Sequence, residues 1–260
     1  MSLQDAADAL GVHYQTAYAW VRSGALAARK AGRGYQVSVE SVRVLEASRA
    51  AGLPPPHGIR VRDWAAQADR LYRAIIDGQE TVARREQDRL AGGVSTLDLC
   101  QLVIGPALRR VGTDWAAGTV SIAAEHRASA ICERLIGARA AQQPRGRPRG
   151  IAVVTTPPGE RHALPSLMAA ACLREDRWLV HHLAADLPVA EIGQFADRTD
   201  AQLVVLSAAT SDGRAAAAAA AAKLTAASGR KVLTGGPGAS LHELIELART
   251  LTARPGAPGR

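Results

Sequence analysis

Two side chains near residue 160 can act together on a metal ion. Glu160 and His162 are two residues apart and follow an apolar run that begins at Ile151. An imidazole nitrogen is a good donor to a transition metal, and a nearby carboxylate can accept a hydrogen bond from the other ring nitrogen and orient the ring. The pair therefore predicts a metal-binding histidine with a supporting carboxylate, whereas a single histidine on a loop, such as His162 taken alone, is usually a solvated side chain.

A second polar group lies upstream. Nine residues separate Trp115 from the pair Glu125-His126. If a helix begins near Thr119, Ile122 shares a face with that pair, because residues three and four apart are helix neighbours. An aromatic face packs over a flat apolar surface, and a carboxylate accepts hydrogen bonds from hydroxyl groups. Taken singly, a Trp near a helix is usually core and a Glu-His pair usually faces solvent, but together they predict one ligand-facing surface.

The elements that must position the first pair are strands and helices in alternation. From Ile151 onward the apolar runs IAVV, WLVHHLA, LVVLS and KVLTGG are separated by helix-like stretches. This pattern predicts a doubly wound, Rossmann-like parallel sheet, and ligands bind at the carboxyl ends of such strands. The residues that follow the strands are His162, Asp186, Pro188, Ser207, Gly235 and Gly236.

The middle of the chain has a helical pattern without strand alternation. Apolar residues recur at spacings of three and four, which predicts a four-helix bundle. The series that carries this pattern is Leu97, Cys100, Ile104, Leu108 and Val111.

The first fifty residues predict a helix-turn-helix. Ser2 can cap a first helix with Asp5 three residues on, Gly11 ends it, and residues 13–22 form a second helix with a polar start. The second helix of such a motif enters the major groove of DNA, where Gln15 can bond an adenine edge. The exposed candidates are His13, Tyr14, Gln15, Thr16 and Tyr18.

Residues 28–37 predict a wing, with two extended runs around a glycine turn and a closing helix near residues 39–47. Arg29, Lys30 and Arg33 can contact phosphates there. The alternative is that any small helical domain contains a helix-turn-helix unit, with Trp20 in its core.

Two breaks divide the chain. Residues 54–58 and 143–150 are rich in Pro and Gly, which gives segments 1–53, 59–142 and 150–260.

The net charge of +8, from 32 Lys and Arg against 24 Asp and Glu, favours polyanionic partners. Three widely spaced cysteines form no paired framework, and no apolar run approaches the roughly 20 residues that span a bilayer. We therefore expect a reducing, cytoplasmic location without membrane contact.

The N-terminal segment resembles the winged helix-turn-helix of MerR-type regulators. Trp115, the nine-residue gap and Glu125-His126 resemble the upper cap of cobalamin-binding photoregulators of the CarH/LitR type. The resemblance implies that Trp115 covers the upper axial ligand of the corrin, Ile122 packs there, and Glu125 and His126 contact an adenosyl group. In light-sensitive members a histidine beside the Trp captures cobalt after photolysis, whereas here Ala116 occupies that place.

The segment from Glu160 resembles the cobalamin-binding motif D/E-x-H-x-x-G. The resemblance implies that His162 is the lower axial ligand of cobalt, and that Ser207, Gly235 and Gly236 line the channel of the nucleotide tail. Pro165 stands where the family pattern has glycine, and its ring adds bulk along this channel. Two alternatives follow from this proline. Either cobalamin binds more weakly, or a different planar tetrapyrrole, such as a bilin, binds in the same space.

These resemblances predict a non-enzymatic transcriptional regulator, with repression as the expected mode. Cobalamin, in its adenosyl form first of all, would control assembly into a homodimer or homotetramer and binding to promoter DNA. The alternatives are a corrinoid carrier subunit of a methyltransferase or mutase, and a regulator that binds a bilin or no ligand.

Overall fold

The chain divides into residues 1–63 and residues 64–260, and each unit is described by itself. The structure, a computed structural model, describes residues 1–23, 26–31, 34–50, 63–91, 93–141, 146–236 and 239–251. Arg33 and the expected segment boundaries at residues 53, 59 and 142 lie outside these described residues.

The N-terminal unit is a winged helix-turn-helix. Ser2 caps its first helix as predicted: Ser2 Oγ accepts a hydrogen bond from Asp5 N at 3.1 Å, and Ser2 N donates to Asp5 Oδ2 at 2.9 Å. Gly11, with φ of +62°, turns the chain into the second helix. The described elements are α1 (Leu3–Ala9), α2 (Tyr14–Ser23), β1 (Ala28–Ala31), antiparallel β2 (Gly34–Val37) and α3 (Val39–Ala50).

The core of this unit joins its helices to the hairpin. Leu3 from α1, Val37 from β2 and Leu45 from α3 belong to one buried cluster. Helix α2 begins one residue later than predicted, because the carbonyl of His13 already accepts hydrogen bonds from Thr16 N and Ala17 N and so precedes the helix. The faces that remain outside this core are available for contact with a partner.

Residues 64–141 form the predicted helical bundle. A π-helical turn, Cys100–Ile104, connects α6 to α7 directly, so that the two run as one helix. The helices are α4 (Trp64–Ile76), α5 (Glu80–Ala91), α6 (Thr96–Leu99), α7 (Gly105–Ala116) and α8 (Ile122–Ala140).

The π-helical turn changes which side chains of this helix face the core. Such a turn adds one residue to a helical repeat and rotates the residues that follow. Val103 and Ala107 are buried, whereas Leu97 and Leu108 of the predicted apolar series are only partly buried. The spacing in the sequence therefore identified the helix and only part of its buried face.

The C-terminal part is the predicted doubly wound parallel sheet, with strand order β4-β3-β5-β6. Its strands alternate with helices on two faces: Ala152 and Val154 pack toward α9, α12 and the bundle, while Val153 packs toward α10 and α11. The elements are β3 (Ile151–Thr155), α9 (Ala163–Glu175), β4 (Leu179–His182), α10 (Val189–Arg198), β5 (Leu203–Ser207), α11 (Ser211–Ser228), β6 (Lys231–Gly235) and α12 (Leu241–Thr250).

One buried cluster extends from the bundle into the sheet. Helices α8 and α9 pack side by side, and the free thiols of Cys100, Cys132 and Cys172 lie buried within this cluster. Burial raises the pKa of Cys132 to about 12, so this thiol stays protonated and serves as an apolar core residue. Among the described residues, no helix has both the length and the apolar character needed to span a membrane.

Contacts at one end of α8 and α9 set their relative direction. Arg139, near the end of α8, lies 3.9 Å from Glu175 at the end of α9, measured from Nη2 to Oε1. Because the helices also pack along their lengths, they run in the same direction. Their N-terminal ends therefore lie at one end of the unit, which is the carboxyl edge of the sheet because α9 follows β3.

Candidate functional site

His162 lies directly before helix α9, at the carboxyl edge of the sheet. Its side chain is 60% exposed, and its Nδ1 is in hydrogen-bonding contact with Glu160 Oε1. Glu160 itself is only 1% exposed. A buried carboxylate thus holds one nitrogen of an imidazole whose other nitrogen is available at the surface.

The carboxylate of Glu160 is ionised and bound on both oxygens. Oε1 also accepts from His162 N at 3.0 Å, while Oε2 accepts from Ala209 N at 2.9 Å and from Thr210 N and Oγ1 at 3.0 Å. Burial raises the pKa of Glu160, but the hydrogen bonds from His162, Thr210 and Ala209 outweigh it and lower the pKa to about 2. Because an ionised carboxylate only accepts hydrogen bonds, Nδ1 of His162 is the donor to Glu160, and Nε2 is the ring nitrogen that the carboxylate does not engage.

Two residues that the sequence interpretation missed complete this arrangement. Thr210 caps α11, with its Oγ1 accepting from Gly213 N at 3.0 Å. A Cβ atom on Gly213 would lie 2.2 Å from Glu160 Oε2, so only glycine fits beside the carboxylate. The N-terminal end of a helix also favours negative charge. A threonine before an alanine-rich helix is a visible cap signal, but its link to Glu160 crosses fifty residues of sequence.

Asp186 holds the loop that carries His162. Its backbone has φ of +60°, its Oδ1 accepts from Gly159 N at 2.7 Å, and its own N donates to Thr156 Oγ1 at 2.8 Å. The hydroxyl of Thr156 in turn donates to the carbonyl of Glu160. Asp186 therefore acts here on the shape of the loop, and Thr156 is a further residue of this network that the sequence interpretation missed.

Ser207 and the paired glycines lie along the same edge of the sheet. Ser207 ends β5 and is paired with Gly235 of β6. A Cβ atom on Gly236 would lie 2.7 Å from the carbonyl oxygen of Ala208, whereas one on Gly235 would meet no atom within 4 Å. Gly236 is thus required by close backbone packing, and Gly235 adjoins open space.

The helical bundle presents two large apolar side chains to solvent. Trp115, in the last turn of α7, is 50% exposed, and Ile122, the first residue of α8, is 64% exposed. The predicted start of α8 near Thr119 is wrong: Ser121 is the N-cap and accepts a hydrogen bond from Ala124 N at 3.2 Å. Trp115 and Ile122 therefore flank one short loop, and neither is a core residue.

Glu125 and His126 follow in the first turns of α8. Glu125 Oε2 accepts a hydrogen bond from His126 Nδ1 at 2.7 Å, and Oε1 accepts from Ser129 Oγ at 2.7 Å. The side chain of His126 is 75% exposed. Ser129 is an additional residue that orients Glu125, one helical turn further along.

Helix geometry relates these side chains to the carboxyl edge of the sheet. Measured back from the contact between Arg139 and Glu175, α9 extends about 18 Å to Ala163, and about 20 Å along α8 leads to His126. Along α7, a Cβ atom on Gly105 would lie 3.6 Å from Met168 Cε in α9.

From that contact, Trp115 lies about 15 Å further along α7, whereas α9 begins only about 8 Å from Met168. Because only a short loop joins α7 to α8, the end of α7 with Trp115 lies at the same end of the unit as the start of α8 and His162.

Helix α2 is the second helix of the helix-turn-helix and is called the recognition helix. Most of the residues predicted to contact DNA at its start are exposed. His13, Tyr14, Gln15 and Thr16 are exposed. The expectation that Tyr18 is exposed is wrong, because its half-buried ring packs edge-on against Tyr35 with centroids 5.8 Å apart. Tyr18 therefore connects the recognition helix to the wing.

Arg29 and Lys30 lie on β1, the first strand of the wing. Arg29 is exposed, and its Nε and Nη2 donate to Gln36 Oε1 on β2 at 3.1 and 2.6 Å. Gln36 thus orients the guanidinium group. The side chain of Lys30 and all of Arg33 lie outside the described part of the chain.

Comparison with protein families identifies both units. A family described as "B12 binding domain" matches residues 67–139, and a second family with that description matches residues 150–251. A family described as "Helix-turn-helix domain" matches residues 1–49. The chain joins a cobalamin-binding module to a DNA-binding helix-turn-helix.

A solved structure with a TM-score above 0.5 shares the fold of the cobalamin-binding module, and two others match with lower scores. The monomethylamine corrinoid protein of Methanosarcina barkeri has a TM-score of 0.55 at 16% identity, covering 70% of this chain and 89% of that one. The methanol:cobalamin methyltransferase complex of Methanosarcina barkeri scores 0.39 at 14% identity, with coverages of 74% and 81%. A cobalamin-binding protein of Desulfitobacterium hafniense DCB-2 scores 0.37 at 16% identity, with coverages of 73% and 98%. No curated protein sequence matches the chain significantly.

The possible metal ligands of the cobalamin-binding module fit a metal ion that is already bound within a macrocycle. Among the described residues, no group of three or more His, Cys, Asp or Glu side chains could hold a metal ion by itself. His162 instead offers a single imidazole nitrogen, oriented by Glu160. A corrin supplies the equatorial ligands of its cobalt, so one protein nitrogen on the axis is sufficient.

Proposed function

We propose that this protein is a transcriptional regulator of the CarH/LitR type, in which cobalamin bound by residues 64–260 controls self-association and DNA binding. One observation carries the proposal: a helix-turn-helix domain and a cobalamin-binding module occur in one chain. A DNA-binding domain has no role in a corrinoid carrier subunit. The protein acts as a sensor, without turnover, in the cytoplasm.

The residues that would contact the lower face of the cofactor lie at the edge of the sheet. His162 would bind cobalt through Nε2, and Glu160 would keep the ring oriented and electron-rich through Nδ1. Ser207, Gly235 and Gly236 would line the channel for the nucleotide tail, where Gly235 adjoins open space. Bound cobalamin supplies a cobalt centre whose upper ligand can be exchanged.

The upper face belongs to the bundle. Trp115 and Ile122 are exposed apolar side chains beside one loop, which suits packing on the adenine and the corrin edge. Glu125 and His126 would contact the adenosyl group, with ribose hydroxyls replacing the hydrogen bonds that Glu125 now accepts from Ser129 and His126. Adenosylcobalamin is therefore the form we expect, and loss of its upper group in light would change these contacts.

The N-terminal unit would bind a promoter. His13, Tyr14, Gln15 and Thr16 are placed to meet base edges, and Arg29, Lys30 and Arg33 to meet phosphates. A homodimer or homotetramer stabilised by the cofactor would present several recognition helices at once. Repression is the proposed mode, because a cofactor-stabilised assembly on a promoter blocks access to it.

The test is to purify the full-length protein in darkness with adenosylcobalamin, remove free cofactor, and record absorption and sedimentation before and after illumination. We expect retained cobalamin, a spectral change in light and an accompanying change in oligomeric state. His162→Ala should alter the spectrum of the bound corrinoid, whereas His242→Ala, an exposed histidine of α12, should not. A protein that emerges colourless, or that takes up a bilin in preference, would contradict the proposal.

A further inference from the structure

Because the ring of Trp115 is exposed and lies outside the hydrophobic core, other contacts must fix its position. Half of its surface is exposed, in contrast to Trp178, which is buried in the sheet domain. A side chain that packs on a ligand contributes more to the binding free energy when its backbone is already rigid. Less conformational entropy of that segment is then lost on binding. The residues that fix the last turn of α7 therefore bear on the role proposed for Trp115.

Asp114 connects this last turn to the loop that follows it. Its backbone carbonyl accepts hydrogen bonds from Thr119 N and Thr119 Oγ1 at 2.9 Å and from Val120 N at 3.2 Å. The next loop contact is Gly118 N donating to Trp115 O at 2.9 Å. One residue thus closes the loop between the two apolar side chains of the upper face.

Tyr72 anchors Asp114 to a different helix. Its hydroxyl, on α4, donates to Asp114 Oδ2 on α7 at 2.6 Å. The guanidinium carbon of Arg110 lies 3.9 Å from the centre of the Tyr72 ring, and Arg110 Nη1 donates to Asp69 Oδ1 at 2.6 Å. The hydrogen bond to Asp114, together with burial, raises the pKa of Tyr72, so the phenol remains a donor.

From these contacts we infer that Tyr72, acting through Asp114, is a positioning residue that holds Trp115 in place over the cofactor. The inference rests on the proposed function and assigns a role to a hydroxyl that does not itself touch the ligand. Without this bond, the last turn of α7 would keep its fold and the contacts of Arg110 with α4, but Asp114 would lose its own hydrogen bond to that helix.

A double-mutant cycle with Tyr72→Phe and Trp115→Ala tests the inference in the full-length protein. Tyr72→Phe should weaken binding of adenosylcobalamin in darkness by about fivefold, the size expected for one lost hydrogen bond. In the Trp115→Ala background the same change should alter affinity less than about twofold. Equal effects in both backgrounds, or no effect in either, would overturn it.

Gln87→Leu is the matched control, because it also removes one hydrogen bond between bundle helices, from Gln87 Nε2 to the carbonyl of Leu135 at 2.9 Å. Leu135 lies about 20 Å along α8 from Ile122, so this variant should leave affinity unchanged at a similar loss of thermal stability.

A measurement without cofactor separates this inference from the proposed function. Subtracting the emission of a matching Trp115→Phe protein isolates the fluorescence of Trp115. Tyr72→Phe should lower its anisotropy and increase its quenching by iodide, and Gln87→Leu should do neither. If the wild-type protein fails to bind cobalamin, the proposed function fails, and this fluorescence still decides whether Tyr72 positions Trp115.

Discussion

At the scale of single residues, Glu160 shows how a buried charge can serve a surface ligand. Its carboxylate accepts hydrogen bonds from the His162 loop and from the loop that begins α11. A buried charge is costly unless it is hydrogen-bonded, and here the bonds from Ala209 and Thr210 to Oε2 hold the carboxylate whose Oε1 contacts the imidazole. Support of this kind fixes the orientation of the imidazole ring and increases the electron density that it can donate.

Replacing Glu160 by Gln should weaken binding of hydroxocobalamin about tenfold, the effect expected when a carboxylate behind a ligating histidine is lost. Titration followed by absorption measures this change. Glu191→Gln is the control, since Glu191 is an exposed carboxylate in the first turn of α10. Equal affinities in the Glu160→Gln and control proteins would contradict the role given to the carboxylate.

The same substitution should change how the stability of the protein depends on pH under acidic conditions. The pKa of Glu160 is lowered from 4.5 to about 2, so its ionised form is stabilised by folding. That stabilisation is complete above about pH 4.5 and disappears as the pH falls toward about 2. Between pH 6 and pH 3 the urea midpoint of the wild type should therefore fall further than that of Glu160→Gln, and parallel curves would contradict this.

At the scale of elements, Glu175 joins the bundle to the sheet. Its carboxylate, at the end of α9, accepts hydrogen bonds from Thr96 N at 2.7 and 2.8 Å and from Thr96 Oγ1 at 2.6 Å, at the start of α6. Glu175 therefore acts as a cap for a helix that lies almost eighty residues away in sequence. The contact also helps to fix the direction of α8 relative to α9, on which the upper face depends.

Glu175→Ala should lower the free energy of unfolding by about 2 kcal/mol, because it removes a helix cap and leaves Thr96 N without its acceptor. Chemical denaturation followed by circular dichroism measures the loss. Glu246→Ala should change stability by less than about 0.5 kcal/mol, since that exposed residue makes only a surface pair with Arg249. A loss no larger than that of the control would show that Glu175 is dispensable.

At the scale of the whole molecule, reading DNA and holding the cofactor belong to different units. Residues 1–63 and 64–260 each have a separate buried core. A substitution on the exposed face of α2 should therefore leave the cofactor spectrum intact, and one at His162 should act first on the spectrum. The two functions can be tested independently in one chain.

Gln15→Ala should weaken binding to promoter DNA by about tenfold, within the range expected for one lost contact to a base. Its absorption spectrum with cobalamin should equal that of the wild type. Gln4→Ala is the matched control, because Gln4 is exposed on α1, outside the recognition helix. Gel-shift titration at constant salt measures the affinities, and unchanged binding by Gln15→Ala would remove this residue from the interface.

The amino-acid sequence alone determined the elements whose signals are local. Ser2 and Asp5 bond to each other within one helical turn, so the start of α1 could be predicted. The four apolar runs after residue 150 are short strands separated by helices, so the sheet and the place of His162 at its carboxyl edge could be predicted as well. Signals of this kind can be read from the sequence because the residues that carry them are close together along the chain.

Contacts between groups that are distant in sequence depend on how the elements pack. The partial burial of Tyr18 follows from its packing on Tyr35 in the wing, and the low pKa of Glu160 depends on His162 and also on Thr210, fifty residues away. Gly105 of α7 likewise lies beside the side chain of Met168 in α9. These contacts depend on how whole helices pack, which spacing within one helix does not encode.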